Sequence, residues 1–256
     1  MSAAAPPPRR GRAPAVSFAD TSPEVSPSGE ERGRSGSSSA PAGEVSTEGA
    51  LVAAGFARLS SATSAQMADL DRFREMLIER NAVMNLIGPA TEADFWNRHA
   101  WDSAQLLRLA PEARAWADLG AGAGLPGLVL AILLKGRPDA HVHLVESMTK
   151  RCRFLSEVVE ALGLAATVHN DRAENLRLTV DIVTARACAP LHRLLGYARP
   201  YLQGGATGLF LKGQDVVAEM REAAIYWEYE ADVVPSKSDP RGRIVRVRRL
   251  GRARKV

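Results

Sequence analysis

Between Met67 and Leu77, large apolar side chains recur at three- and four-residue spacing (Met67, Leu70, Phe73, Leu77), while Asp71, Arg72 and Arg74 fall on the opposite side. That period predicts an amphipathic helix with one face in a core. A second helix is predicted over 92–109, carrying Phe95, Trp96, His99 and Leu106, with Thr91 as its N-cap and Pro111 as its stop. From Ala115 the rhythm changes. Short apolar runs at 115–120, 141–147, 166–170, 181–187 and 208–213 read as strands, separated by helical patterns at 126–134, 150–162, 191–202 and 214–225. Runs at 230–235 and 243–250 complete the set as a late pair of strands. Strands alternating with helices predict an α/β fold, a mostly parallel, doubly wound sheet of seven strands.

The segment 1–50 breaks this pattern. It holds 7 Pro, 6 Gly, 10 Ser and 9 Ala, and its larger apolar residues are only Met1, Val16, Phe18, Val25 and Val45. So little apolar surface cannot offset the entropy of ordering, and the segment is expected to be a disordered tail. The expected organisation is a tail at 1–50, a helical cap at 51–114 and a sheet domain at 115–256.

Charge and composition narrow the class. The 256 residues carry 33 Lys and Arg against 29 Asp and Glu, and 46% are apolar, enough to bury a sizeable core. The longest apolar run, Leu128–Leu134, is far shorter than a membrane helix needs. The N-terminal region has no apolar stretch resembling a signal peptide, and Cys152 and Cys188 alone make no disulfide framework or metal knuckle. His141, His143, His169 and His192 have no metal-ligand spacing. A cytoplasmic protein without metal is expected. The stretch 241–256 has eight basic residues and no acid. It suits a polyanion such as RNA, or else forms a solubilising tail.

The chemistry concentrates at Asp118-Leu-Gly120-Ala-Gly122-Ala-Gly124-Leu-Pro126-Gly127, where a strand hands over to a helix. In a doubly wound sheet this is where ligands bind. Gly122 to Gly127 formally matches the dinucleotide fingerprint G-x-G-x-x-G. The overlapping Asp118-x-Gly120-x-Gly122-x-Gly124 is similar to motif I of methyltransferases that use S-adenosylmethionine (AdoMet). A pyrophosphate beside the Asp118 carboxylate would be electrostatically poor, which favours AdoMet. Glu146, ending the second strand, suits ribose hydroxyls in either case.

Beyond this turn, MNLIG (84–88), RHAWDSAQLL (98–107), ADLGAGAGLPGLVLAI (117–132), LVESMTKRCRFL (144–155), NDRAENL (170–176), DIVTARACAPLHRLL (181–195) and LFLKGQ (209–214) occur in order. Together they resemble the small-subunit ribosomal RNA guanine-N7 methyltransferases, the RsmG or glucose-inhibited division protein B family. The resemblance implies a seven-stranded class I AdoMet-dependent fold that acts on 16S ribosomal RNA, free or in an assembling small subunit. The implied target is N7 of guanine 527 in the usual ribosomal numbering, and the enzyme is expected to be a monomer.

The resemblance implies cofactor contacts at Asp118, Gly120, Gly122, Gly124, Leu125, Glu146, Ala173, Glu174 and Arg186. Arg186 alternatively makes a structural ion pair with Asp171 or Glu174. Candidate RNA contacts are Arg98, His99, Lys150, Arg151, Arg153 and Lys212; the competing reading makes them solvated surface charges. Ala185-Arg186-Ala187-Cys188-Ala189-Pro190 lacks the Asn or Asp with Pro-Pro and an aromatic that enzymes methylating exocyclic amines carry. Cys188, read as a small buried residue, lacks the setting of a nucleophile. Guanine N7 needs neither, because its lone pair is free. The alternatives are a methyltransferase for another RNA or a small molecule, and a non-catalytic ribosome-assembly factor.

Overall fold

The computed structural model describes residues 16–18 and 52–253. In chain order it contains β1 (Val16–Phe18), α1 (Ala53–Ser60), α2 (Ser64–Met84), α3 (Pro89–Glu92), a π-helical turn (Trp96–Trp101), α4 (Asp102–Leu109) and β2 (Ala115–Leu119). There follow α5 (Gly127–Leu133), β3 (His141–Glu146), α6 (Thr149–Leu162), β4 (Ala166–Asn170), a 3-10 turn (Ala173–Asn175) and β5 (Ile182–Arg186). The chain closes with α7 (Leu191–Gln203), β6 (Thr207–Lys212), α8 (Val216–Tyr226), β7 (Trp227–Pro235) and β8 (Arg243–Arg252).

The strands form one sheet in the order β1-β7-β8-β6-β5-β2-β3-β4. The seven expected strands make a mixed sheet: β2 to β6 run parallel, and β8 lies antiparallel between β6 and β7. Strand order reverses at β2 and β5, so the carboxyl ends of these neighbours open a crevice. Of the expected tail, only Val16–Phe18 falls within the described residues. They add an eighth strand, parallel to the outer edge of β7.

The helices preceding β2 share a core with the sheet. Leu70, Phe73 and Leu77 on α2 are fully buried in one cluster with Trp116, Leu144 and Leu209. Each such side chain contributes roughly 1.5–3 kcal/mol through burial. A capping box starts α2: Gln66 N–H donates to Thr63 Oγ1 (3.2 Å), and Thr63 N–H donates to Gln66 Oε1 (2.9 Å). A second cluster, including Leu194, Leu195, Tyr201 and Met220, fills the opposite face under α7 and α8.

Two local expectations are corrected. Thr91 does not cap the second helix. Pro89 opens an earlier turn, α3, and the Thr91 hydroxyl inside it donates to Gly88 O at 2.9 Å. The helix then resumes through the π-helical turn, where Asp102 N–H reaches back to Asn97 O. The final strand also runs to Arg252, two residues beyond the predicted end. Its arginines meet acids on β7: Arg246 and Arg248 lie 2.7 and 2.6 Å from Asp232, and Arg249 lies 3.7 Å from Glu230. Arg252 sits over the Trp227 ring at 5.9 Å. Much of the basic terminus is therefore a paired strand. No helix among the described residues is long and apolar enough to cross a membrane.

Candidate active site

At the carboxyl end of β2 the chain turns sharply, and the amides of Gly120 and Ala121 both donate to Val145 O, at 2.8 and 3.0 Å. Gly120 takes φ +69°, and a Cβ there would lie 2.7 Å from Cys188 Sγ. Only glycine fits this conformation and this approach. Two residues on, Gly122 N–H donates to Glu146 Oε2 at 3.0 Å, while Met148 N–H donates to Oε1 at 2.8 Å. Glu146 is thus held rigidly at the end of β3, 5% exposed. It lines a cleft of about 140 Å³ with Gly120, Ser147, Ala173, Glu174, Cys188 and Tyr197. Ala173 is fixed from behind, its carbonyl accepting from Tyr201 Oη at 3.0 Å.

Asp118 does not reach this cleft. It is completely buried below the turn, where Oδ2 accepts from Gly127 N–H at 2.8 Å and Oδ1 has no partner. Burial pushes its carboxyl up to about 7, helped by Glu146 and opposed by the Gly127 amide and Arg186. Its geometry is that of a peg tying β2 to the start of α5. Gly124 and buried Leu125 likewise shape the turn from beneath.

A second cavity, of about 420 Å³, opens between the π-helical turn, the ends of β5 and β6, and the β7–β8 loop. Leu86, Ile87 and Leu211 supply apolar lining; Arg98, His99, Asp102, Arg186, Lys212, Asp239 and Arg243 supply the polar part. Arg186 lines this cavity, two residues before Cys188 of the cleft. Its Nη1 donates to Arg98 O (2.9 Å) and to His99 Nδ1 (3.1 Å), and lies 3.5 Å from Asp102 Oδ2. The ion-pair alternative for Arg186 is therefore right in kind but wrong in partner: Asp102 takes the place of Asp171 or Glu174. Burial and the neighbouring Arg186 hold the His99 pKa down to about 3, so its ring is neutral near pH 7. Because Arg186 donates to Nδ1, the proton is assigned to Nε2, which is buried without a partner.

The remaining candidates divide. Arg98 pairs with Asp239 at 2.5 Å. Lys212 is largely buried and committed within the fold, 2.6 Å from Glu219 and 3.0 Å from Ala189 O. Lys150 and Arg153 are exposed on α6, and Arg151 lies 3.7 Å from Glu146. Cys188, expected to be buried, is exposed at the cleft, because Ala187 at φ +49° turns the chain over Gly120. Although the residue as a whole is exposed, its sulfur is packed against Gly120; that desolvation and the nearby acids push its thiol up to about 11, which keeps it protonated near pH 7. Asp102 lies within RHAWDSAQLL (98–107), one of the segments that carry the resemblance, whereas Tyr197, Asp239 and Arg243 carry no local sequence signal that marks them as site residues. Among the described residues, no group of three His, Cys, Asp or Glu is placed to hold a metal ion.

The strand order and the glycine turn facing an acidic strand end define an α/β protein of the methyltransferase class. Within that class the chain belongs to the family described as rRNA small subunit methyltransferase G, whose model matches residues 66–242. A Ribosomal RNA small subunit methyltransferase G from Caulobacter vibrioides is 65% identical over 207 residues, 81% of this chain and 96% of the relative. The protein of that name from Methylorubrum populi is 50% identical, covering 72% of this chain and 88% of its own. Among solved structures, a point mutant of MtNAS is similar in fold, with TM-score 0.50 and 17% identity over 77% of this chain and 75% of that one.

Proposed function

We propose that this protein transfers the methyl group of AdoMet to N7 of a guanine in 16S ribosomal RNA, guanine 527 in the usual ribosomal numbering. The observation that carries the reading is the adjacency of two cavities at the carboxyl ends of β2 and β5, with Arg186 and Ala187 lining one and Cys188 lining the other. The residues of the smaller cleft fit AdoMet. Gly120 lets the backbone turn at the cleft floor with Cys188 packed against it, and Glu146 is anchored through one bond to each oxygen, with lone pairs left for ribose hydroxyls. Asp171, Glu146 and Glu174 along the cleft favour a cationic sulfur. When bound, AdoMet supplies a methyl group on a positively charged sulfonium, open to attack by a lone pair.

The protein's contribution is placement. Guanine N7 carries no proton, so no side chain need act as a base. Arg98, His99, Asp102, Arg186 and Arg243 frame a cavity with an apolar part for a base and a cationic rim for its phosphates. Neutral His99 adds no charge against a base that becomes cationic on methylation, and the charges of Arg186 and Arg98 are countered by Asp102 and Asp239. Orientation and exclusion of water then supply the rate.

The substrate is 16S RNA, free or in an assembling subunit, and the enzyme acts in the cytoplasm as a monomer of 27.5 kDa. The test incubates the protein with labelled AdoMet and small subunits from a strain lacking the modification, followed by mass spectrometry of nuclease fragments. The expected product is 7-methylguanine at that single position. No transfer, or label on another atom or nucleotide, would refute the assignment.

A further inference from the structure

The β7–β8 loop, residues 236–242, walls the larger cavity through Ser236, Asp239 and Gly242 and delivers Arg243 to its rim. Its attachment to the helices before β2 is made of polar side chains. Gln105 on α4 is 3% exposed. Its Oε1 accepts from Lys237 N–H at 2.8 Å, and its Nε2 lies 3.1 Å from Asp102 O, Asp102 Oδ1 and Ser236 Oγ. The Ser238 hydroxyl donates to Asp102 Oδ1 at 2.6 Å, and Trp101 Nε1 donates to Lys237 O at 3.2 Å. The same Asp102 turns its other oxygen toward Arg186, 3.5 Å away.

Burying a carboxamide on a helix flanked by Ala104 and Leu106 makes sense only if it is fully bonded, because an unpaired amide costs about 1–3 kcal/mol. Gln105 meets that condition: it bonds Asp102 on its own helix, and its bonds beyond that helix all go to one loop, at Ser236 and Lys237. We propose that Gln105 is a positioning residue for the methyl-transfer reaction. It latches loop 236–242 to α4, so that Asp239 and Arg243 stand at the mouth of the cavity that takes the target nucleotide. This rests on the function proposed above.

The test replaces Gln105 with Met in the full-length protein, keeping length and removing every polar bond. Hydrogen exchange in 236–242 should quicken while β5 and β6 stay protected. The KM for small subunits should rise about ten-fold, within the ~10²-fold that an ångström of misplacement can cost. AdoMet affinity, measured by calorimetry, should stay within about two-fold of wild type, because the cleft at Glu146 has no bond to the loop. Ser238→Ala, which removes the hydroxyl that meets Asp102, Ser236 and Gln105 but leaves the Gln105 bonds to Lys237 and Ser236, should give the same pattern more weakly, and it carries the test alone if the Met variant does not fold. A wild-type KM, a raised KM without faster loop exchange, or a parallel loss of AdoMet affinity would each overturn the proposal. An inactive wild-type protein would instead count against the function on which it rests.

Discussion

Replacing Gly122 with Asp separates cofactor binding from folding, and the structure sets both magnitudes. Gly122 takes φ +55°, but a Cβ built there meets nothing closer than Gly120 O at 3.5 Å, an ordinary contact. The folding cost is therefore the left-handed conformation alone, about 1 kcal/mol, and Asp tolerates it better than most residues. For a chain of this size that is a fall of roughly 2–4 °C in Tm. Gly124 makes the contrast, since a Cβ there would lie 2.2 Å from Leu128 Cδ1, and even Gly124→Ala should compromise the fold. Binding should respond differently. The Gly122 amide already donates to Glu146 at 3.0 Å, so the new carboxylate would be carried on a residue bonded to an acid that lines the cleft. If the carboxylate of AdoMet comes within about 5 Å of it, the repulsion is roughly 3 kcal/mol at an effective dielectric near 20. That corresponds to about 10²-fold in affinity. Scanning fluorimetry and titration calorimetry on wild type, Gly122→Ala and Gly122→Asp read the two effects apart. A folded Gly122→Asp protein that binds AdoMet within about three-fold of wild type would place the cofactor elsewhere.

Deleting residues 1–50 should leave activity unchanged and move Tm by no more than about 2 °C, because the net gain from a few edge hydrogen bonds roughly matches the entropy of ordering Val16–Phe18; a fall beyond about 5 °C would show that the tail is an integral part of the sheet. His143, with Nδ1 3.0 Å from His169 Nε2, has its pKa held down to about 4, chiefly by burial. Its unfolded form takes up a proton near pH 6.5 and its folded form only near pH 4, so stability should fall as pH drops through that window. His143→Gln should flatten the fall in thermal melts, and superimposable pH profiles would exclude this origin. Neutralising Arg252, Arg254 and Lys255 together should reduce the salt dependence of RNA binding by up to ~0.9 log unit for each phosphate that is no longer neutralised. Arg254 and Lys255 lie outside the described residues, and an unchanged slope would put the footprint around Arg98, Lys150 and Arg243.

The features legible in the sequence are those encoded within about fifteen neighbouring residues. The alternation from Ala115 onward marks β2 to β8 to within a few residues but not β1, and the spacing of Asp118, Gly120, Gly122 and Gly124 marks the turn. What escapes a local reading depends on partners far along the chain. Arg186 reads locally as a charge at the end of a strand, and its fate is settled by Asp102, 84 residues away. Gln105 reads as a filler in a short helix, and its bonds lie 131 and 132 residues downstream. The position of Asp118 suggests a cofactor ligand, whereas its burial below the turn arises from α5 closing over it. The C-terminal arginines suggest free positive charge because the sequence does not reveal that Asp232 and Glu230 lie beside them in the sheet.

The same reasoning accounts for the one strained residue between the two cavities. Ala187 is not glycine, yet it takes φ +49°, a conformation that costs of order 1 kcal/mol or more and persists only where its surroundings hold it. Both neighbours are fixed. Arg186 is anchored in the larger cavity by Arg98 O, His99 and Asp102, while Cys188 presses its sulfur against Gly120 at the floor of the cleft. Extended backbone at 187 would put the side chains of Arg186 and Cys188, two positions apart, on the same side; the left-handed turn at Ala187 instead lets one enter each cavity. The left-handed turn thus places the lining of the two cavities on adjacent residues, Ala187 for the larger and Cys188 for the cleft. Direct transfer requires donor carbon and acceptor nitrogen to come within about 3–3.5 Å, so the methyl group must be reached past the edge of this segment. In this fold the strain at Ala187 and the missing side chain at Gly120 are two halves of one steric arrangement.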